Sequence, residues 1–370
     1  MTFKPRICKL LQLGIVLPAM LFGHLSAADP RVDALANEVR EKGWIIYSAR
    51  AESGDWDLFM SRPDGSRRLN LTSSPDQHEM GARFSPDGKK LLYRRLAVGS
   101  TFHHLNWGLQ GSLVIASSDG SHAAELGGRG EYPWASWSPD GKQIACLYKD
   151  GIRIHDLETG SQVSKMPRQG IYQQLFWSPD GTMLCGPANR RGDAWGVVQI
   201  EINSGTLHSV SGPGCCTGDW FPDSGRLVYS HRPANQEVMD GGEMARRSGQ
   251  KLEHGWTQLW MADKTGQNRN LVYGEDGRHI YGGQISPDGN YVLFTRSPEE
   301  DLKVMRSQTD QAGVRRQGAP MALMRLSDAP TIGGESKALR KLHAATKDGP
   351  VLHLPESWEP HWTYSEVRRK

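Results

Sequence analysis

The sequence lacks the short motifs that mark several classes of enzyme and cofactor protein. It has no C-x-x-C-H segment, so we expect no covalently bound cofactor and no c-type haem on this chain. It has no G-x-S-x-G elbow, which argues against a prolyl-oligopeptidase type of hydrolase. It also has no glycine-rich phosphate loop and no zinc-type Cys/His spacing. Any activity therefore has to be sought outside these motifs.

The chain has little net charge. It carries 44 Lys plus Arg against 41 Asp plus Glu, and Lys4, Arg6 and Lys9 fall within the first 28 residues, which hold no acid. The rest of the chain is balanced. A balanced chain offers no electrostatic footprint for nucleic acid or anionic lipid, so neither is expected as a partner.

Only one segment is strongly apolar, and it is short. It runs from Leu10 to Phe22, contains Gly14 and Pro18, and precedes the small residues Ser26-Ala27-Ala28. A membrane helix needs about 20 apolar residues, whereas a basic start, a short apolar core and small residues are typical of a secretory signal. We predict that residues 1–28 are a signal peptide and that the mature chain is exported, with no membrane span.

What the sequence does contain is a repeated turn. Ser-Pro-Asp-Gly occurs four times, each copy follows an aromatic residue or Ile, and a strand-like run follows each copy. Pro fixes the first turn position, Asp bonds the local backbone and Gly accepts a positive φ. The copies are Ser85–Gly88, Ser138–Gly141, Ser178–Gly181 and Ser286–Gly289, with Phe221–Gly225 as a degenerate fifth.

A second glycine turn accompanies each copy at a similar spacing. These turns end at Gly65, Gly120, Gly160, Gly205 and Gly266. Two hairpin turns and four short strands per repeat are typical of a propeller blade. The sequence therefore predicts an all-β fold, a single β-propeller of six blades, with seven as the alternative.

Six inner strands are expected, ending near Phe84, Trp137, Trp177, Trp220, Ile285 and Trp362. The last of them has no strands after it, while the strands from Trp44 onward have no inner strand before them. We therefore expect the C-terminal strand to complete the first blade and close the ring, which removes open sheet edges.

The predicted organisation is a helix or linker over residues 29–43 followed by a propeller over residues 44–370. Pro30–Lys42 has apolar residues at helical spacing and is the expected short N-terminal helix. Insertions are predicted near residues 96–110, 232–256 and 298–320. Functional residues of such scaffolds usually lie on loops of this kind.

Two of the insertions carry candidate contact residues. Carboxylates beside an imidazole in residues 232–256 are able to bind a divalent cation or a partner, and a solvated loop is the alternative. The aromatic and His residues of 96–110 favour a protein interface over packing on the blade beneath. The candidates are Asp240, Glu243, Glu253, His254 and Trp256, and His103, His104 and Trp107.

A ring of polar residues forms a further candidate site. Counting back seven positions from each turn gives His78, Glu131, His279 and Glu356, and the same count gives Ile171 and Gly214, which interrupt the ring of polar residues. His and carboxylate groups from different blades are able to hold a divalent cation. A polar lining filled with water is the alternative.

Four cysteines remain beyond the predicted signal. Cys146 and Cys185 lie in equivalent strands, but their offsets place them on opposite faces, which argues against a disulfide between them. Cys215 and Cys216 are adjacent, either as two thiols, which we favour, or as a strained vicinal disulfide.

The aromatic-Ser-Pro-Asp-Gly turn and its accompanying Gly turn resemble the exported, WD40-like TolB propeller family over nearly the whole mature chain. More narrowly, a haem-free exported propeller of this size resembles the β subunits of hydrazine synthase from anaerobic ammonium-oxidising bacteria. That resemblance rests on overall character and on the loop Asp240–Trp256, and it implies that Glu253 contacts a metal or a tunnel between active sites.

The narrower resemblance implies a scaffold subunit with no catalysis of its own. Its partners would be multi-haem, c-type cytochrome-like subunits of a complex that makes hydrazine from nitric oxide and ammonium, in the periplasm or the anammoxosome lumen. The alternatives are a stand-alone periplasmic, TolB-like binding propeller and a metal-dependent polysaccharide lyase acting on uronic acids.

Overall fold

The computed structural model describes residues 29–99, 111–127, 134–172, 174–188, 196–212, 215–231, 257–275, 278–298, 319–330 and 349–367. Within these ranges the fold is all-β, with one α-helix, α1 (Pro30–Val39), and a 3-10 turn at Leu326–Asp328. No helix among these residues has the length and apolar character needed to cross a membrane.

Four sheets have four antiparallel strands each, and the strand order in each sheet follows the chain. The first comprises β4 (Gln77–Phe84), β5 (Lys90–Ala97), β6 (Ser112–Ser117) and β7 (Ala124–Leu126); the second β8 (Trp134–Trp137), β9 (Gln143–Tyr148), β10 (Gly151–Asp156) and β11 (Gln162–Met166). The third comprises β12 (Phe176–Trp177), β13 (Met183–Ala188), β14 (Gly196–Glu201) and β15 (Leu207–Ser209); the fourth β16 (Cys215–Trp220), β17 (Arg226–His231), β18 (Gln258–Asp263) and β19 (Asn270–Tyr273).

A fifth sheet has seven strands and joins the two ends of the chain. Its strands are β1 (Trp44–Arg50), β2 (Trp56–Ser61), β3 (Leu69–Asn70), β20 (Arg278–Ile285), β21 (Tyr291–Pro298), β22 (Ala319–Arg325) and β23 (Leu352–Thr363). The first half of β23 pairs with β22 up to Ser357, and its second half pairs with β1 from Trp358. The C-terminal strand therefore joins the N-terminal sheet, as predicted.

The repeated turns are built as their residue types require. In all four intact copies the Ser hydroxyl donates to the Asp carboxylate two residues later at 2.6 Å. The Gly of each copy has φ between 68° and 78°, a region that only Gly adopts without strain.

Neighbouring sheets pack face to face in a propeller-like arrangement, and β4 packs against β1, β2 and β23. Hydrogen bonds also link the first strands of successive sheets. The indole N–H of Trp137 donates to the Arg83 carbonyl at 3.2 Å, and that of Trp220 donates to the Phe176 carbonyl at 3.4 Å. The aromatic residues before the turns therefore pack between sheets.

Helix α1 begins at an N-cap, Asp29, whose carboxylate accepts the Arg31 amide N–H. It contacts β23 and buries Leu35 and Val39 in a cluster with residues of β1, β21, β22 and β23. It ends at Val39, three residues before the predicted end. Strand β5 continues to Ala97 and β22 begins at Ala319, so both strands reach the ends of the insertions predicted near residues 96–110 and 298–320.

All four described cysteines are free thiols. Burial raises the pKa of Cys146, Cys185 and Cys215 above the usual thiol value, because a thiolate is poorly solvated inside the protein.

Candidate functional site

On each of six strands, one residue directly precedes the aromatic residue or Ile of the repeated turn. These six residues occupy equivalent positions. The pairings Phe84 with Leu91, Trp220 with Leu227 and Trp362 with Ile45 are examples of this shared register. Because the six strands are the innermost ones expected of a propeller, this position faces the axis. The six residues are Arg83, Ser136, Phe176, Asp219, Gln284 and His361.

A cavity of about 640 Å³ lies at the turn end of this axis. Five of the six residues line it, all except Gln284, and the prolines of the turns form its walls. We call Arg83, Ser136, Asp219 and His361 the cavity floor, and the prolines are Pro86, Pro139, Pro179, Pro222 and Pro287. The cavity thus combines apolar walls with a polar floor, as small-molecule sites commonly do.

A β-bulge precedes the floor position on several inner strands. Gly81, Thr217, Gly282 and Glu359 occupy one register and have positive φ values between 45° and 67°, and the strand pairing shifts there in β4, β16, β20 and β23. A bulge changes which side chains face the axis.

Arg83 is buried at the floor. Its Nη1 donates to the carbonyls of Ala82 and Glu359 at 3.0 and 3.1 Å, and its guanidinium lies 5.4 and 5.6 Å from the rings of Trp134 and Phe176. Its Nε atom has no hydrogen-bond partner among the described residues. Burial lowers the Arg83 pKa, while Glu359 and Asp219 oppose the shift.

Asp219 and His361 are half-buried and line the cavity. Burial raises the pKa of Asp219 to about 6. Two interactions oppose this rise: the Trp220 amide N–H donates to Oδ1 at 2.9 Å, and the charge of Arg83 favours the carboxylate. His361 accepts the Phe84 amide N–H on Nδ1 at 3.1 Å. Burial, with the nearby Arg83, holds the His361 pKa well below its usual value, so the imidazole is neutral at pH 7.

A second charged layer lies beneath the floor. Glu359 Oε2 lies 3.8 Å from Arg94 Nη2, and both side chains are 4% exposed. Neither Glu359 Oε2 nor Gln174 Oε1 has a hydrogen-bond partner within the described parts of the chain. Burial raises the Glu359 pKa despite Arg94 and Arg83. A buried ion pair of this length is weak evidence for stability, since desolvation offsets the attraction.

The predicted ring of His and carboxylate residues is only partly described. His78 is buried in β4, where its Nδ1 accepts the Trp56 amide N–H at 3.1 Å, and Glu356 is exposed in β23, opposite Pro320. His279 lies in β20 with its side chain not described, and Glu131 lies outside the described residues. Neither His78, Ile171 nor Glu356 lines the cavity.

The loop candidates all lie outside the described residues. They are Asp240, Glu243, Glu253, His254 and Trp256 in one insertion, and His103, His104 and Trp107 in the other. Among the residues that the structure describes, no three His, Cys, Asp or Glu side chains converge on a metal position. The metal and interface hypotheses for these residues stay predictions.

The floor residues were not singled out from the sequence. A count of two residues back from each turn finds Arg83, Asp219 and His361 directly. The seven-residue count crosses the bulge, where the alternation of side-chain faces changes, so it does not reach the same face of the strand. Glu359 and Arg94 are far apart in sequence, and no local pattern joins them.

Comparisons with known proteins support the fold. No family model matches the sequence, and no curated protein matches it. The structure is similar to TolB from Acinetobacter baumannii, with a TM-score of 0.55, 16% identity and coverage of 87% of this chain and 67% of that one. It is also similar to a chain of a nidogen/laminin complex, with a TM-score of 0.51, 10% identity and coverage of 78% and 92%.

Hydrazine synthase from Kuenenia stuttgartiensis is a weaker match. The TM-score is 0.37 at 13% identity, over 62% of this chain and 79% of that one, which is too low to add to the argument. The narrower resemblance predicted from the sequence is not confirmed. At these identities the comparisons bear on architecture alone, and they place this chain among structures similar to TolB-like β-propellers.

Proposed function

We propose that this chain is an exported, six-bladed binding propeller that receives a segment of a protein partner in its axial cavity. The observation that carries the proposal is the cavity itself, with walls of turn prolines and a floor of Arg83, Ser136, Asp219 and His361. A cavity with apolar walls and a few polar groups needs no catalytic motif to bind a ligand.

The blade count follows from how β23 is shared. If its first half completes the sheet of β20–β22 and its second half completes that of β1–β3, the seven-stranded sheet is two blades and the ring has six. Export is supported by the predicted signal peptide in residues 1–28, which lie outside the described residues.

Capture from the source organism tests the proposal. The tagged chain is purified natively beside two variants, Pro179→Arg at the exposed wall of the cavity and Val163→Arg on β11, where Val163 is 51% exposed away from the cavity. We expect a protein to co-purify with the wild type and the Val163 variant and to be lost from the Pro179 variant. Equal capture by all three contradicts the cavity as the site.

The same eluates separate the two partner types predicted from the sequence. A Soret band with co-purifying multi-haem chains supports the hydrazine-synthase-like subunit and directs attention to Glu253. A colourless eluate with a captured protein supports a stand-alone, TolB-like binding propeller. The lyase alternative gains no support from the described geometry.

A further inference from the structure

We propose that the cavity floor binds a carboxylate group, held by Arg83, Ser136 and His361, with Asp219 as the internal anion that competes with it. This inference rests on the proposed function, because it names the chemistry recognised inside the same cavity. The candidate metal residues predicted from the sequence imply a bound cation at other positions, whereas this inference assigns an anion to the floor.

Three floor residues have donor groups directed by their other contacts. Ser136 Oγ accepts the Trp177 amide N–H at 3.0 Å, which leaves its own O–H to donate. His361 accepts the Phe84 amide N–H on Nδ1 at 3.1 Å, so the neutral ring carries its proton on Nε2. Arg83 Nε is a buried donor with no partner among the described residues. Donors therefore predominate on the floor.

An anion suits these donors better than a cation does. Arg83 keeps its charge even where burial lowers its pKa, because guanidinium is a very strong base. A carboxylate matches the planar donors of a guanidinium and accepts bonds from hydroxyl and imidazole as well. The prolines of the walls leave room for an apolar stem behind the carboxylate.

Asp219 makes this binding depend on pH. Its neighbours are Arg83 from β4 and the Cys185 thiol from β13, together with the Trp220 and Ile285 amide groups. From β23, His361 lines the same cavity and Glu359 acts on Arg83. When Asp219 is ionised it repels a second carboxylate and partly neutralises Arg83. When it is protonated, with a pKa of about 6, the repulsion ends and its O–H becomes a further donor. Carboxylate binding therefore takes up one proton from solution.

Calorimetric titration with acetate tests the inference at constant chloride. Because the two pH values lie on either side of the Asp219 pKa, we expect the wild type to bind acetate at least about tenfold more tightly at about pH 5.5 than at about pH 7.5. Asp219→Asn should bind equally at both pH values. Arg83→Gln should weaken binding at least about tenfold, while Arg153→Gln, at a half-buried site on β10 outside the cavity lining, should bind like the wild type.

A second variant keeps the test valid if Arg83→Gln does not fold. Ser136→Ala removes one donor and should weaken acetate binding severalfold with the same pH dependence. The inference is overturned if the wild type shows no acetate binding at about pH 5.5, or if a folded Arg83→Gln protein binds as the wild type does.

Peptide probes distinguish the two sources of a carboxylate. N-acetyl-triglycine is compared with acetate, and its C-terminal amide serves as the control without a carboxylate. Tighter binding of the free acid than of acetate supports a polypeptide terminus, and equal binding supports a small organic acid. Acetate binding needs no protein partner, so it separates this inference from the proposed function. Capture without acetate binding contradicts the inference alone. Acetate binding without capture contradicts the proposed function alone.

Discussion

Glu79 is a carboxyl group that the fold removes from water. It is 0% exposed in β4, and its Oε1 accepts a hydrogen bond from Arg95 Nε at 3.1 Å. Burial outweighs the Ser74 and Arg95 interactions and raises its pKa from 4.5 to about 7. Between these values the folded state binds more protons than the unfolded chain, so stability falls as the pH rises.

Replacing Glu79 with Gln should remove this dependence. The free energy of unfolding of the wild type should fall by up to roughly 2–3 kcal/mol between about pH 4.5 and about pH 7, because each pKa unit is worth about 1.4 kcal/mol. The Glu79→Gln variant should lack this fall while its amide oxygen still accepts from Arg95. Denaturant unfolding at a series of pH values measures it.

Glu201 provides the matched control. It is exposed, and hydrogen bonds from Ser204 and His208 lower its pKa. Glu201→Gln should leave the pH dependence between pH 5 and pH 7 like that of the wild type. If the free energy of unfolding of the Glu79→Gln variant falls with pH in parallel with that of the wild type, another group causes the dependence.

At the scale of elements, the tryptophans before the turns contribute unequally. Trp137 donates its indole N–H to the Arg83 carbonyl of the neighbouring sheet at 3.2 Å. Trp177 occupies the same register on β12, but its indole N–H has no partner among the described residues. Comparing Trp137 with Trp177 therefore distinguishes the contribution of the hydrogen bond between sheets from the contribution of ring packing.

Trp137→Phe should therefore destabilise the protein more than Trp177→Phe does. Both substitutions replace an indole with a phenyl ring, but Trp137 is the more deeply buried of the two and only its replacement removes a hydrogen bond, worth about 0.5–1.5 kcal/mol. Thermal and denaturant unfolding of both variants measure the difference. Equal losses would show that the indole bond of Trp137 adds nothing to the contact between the sheets.

The turns and the strands beside them were predictable, because Ser, Pro, Asp and Gly each have a defined part in the turn. The faces of the inner strands were not. The bulge is marked by Gly at Gly81 and Gly282 but by Thr217 and Glu359 elsewhere, and a bulge at a non-Gly residue leaves no reliable mark in a sequence. The cavity floor beyond it therefore stayed hidden.

At the scale of the whole molecule, the C-terminal residues hold the ends of the chain together. After β23, Ser365 Oγ donates to the Asp87 carbonyl at 3.0 Å, Glu366 pairs with Arg62 at 2.9 Å, and Val367 is buried. The closing position of β23 was predictable from the missing inner strand. Its second pairing, with β22, was not, because one continuous strand, Leu352–Thr363, pairs with β22 over its first half and with β1 over its second half.

Gly88→Ala should weaken this closure. A Cβ at Gly88 would lie 2.2 Å from the Ser365 Cβ, whereas one at Gly160, with a similar φ of +69°, meets nothing within 4 Å. Gly160→Ala should cost about 1 kcal/mol for the left-handed backbone alone, and Gly88→Ala a further 1–3 kcal/mol or so for overpacking. Denaturant unfolding compares them, and equal losses would contradict a packed C-terminal closure.

Photocrosslinking tests the central claim, that the axial cavity receives a protein partner, most directly. Benzoylphenylalanine is placed at Pro179 on the cavity wall or at Val163 on β11, and cells of the source organism are irradiated. The account predicts a discrete crosslinked product from position 179 and none from position 163. A product from position 163 alone, or none from a folded, exported protein carrying the probe at position 179, would contradict it.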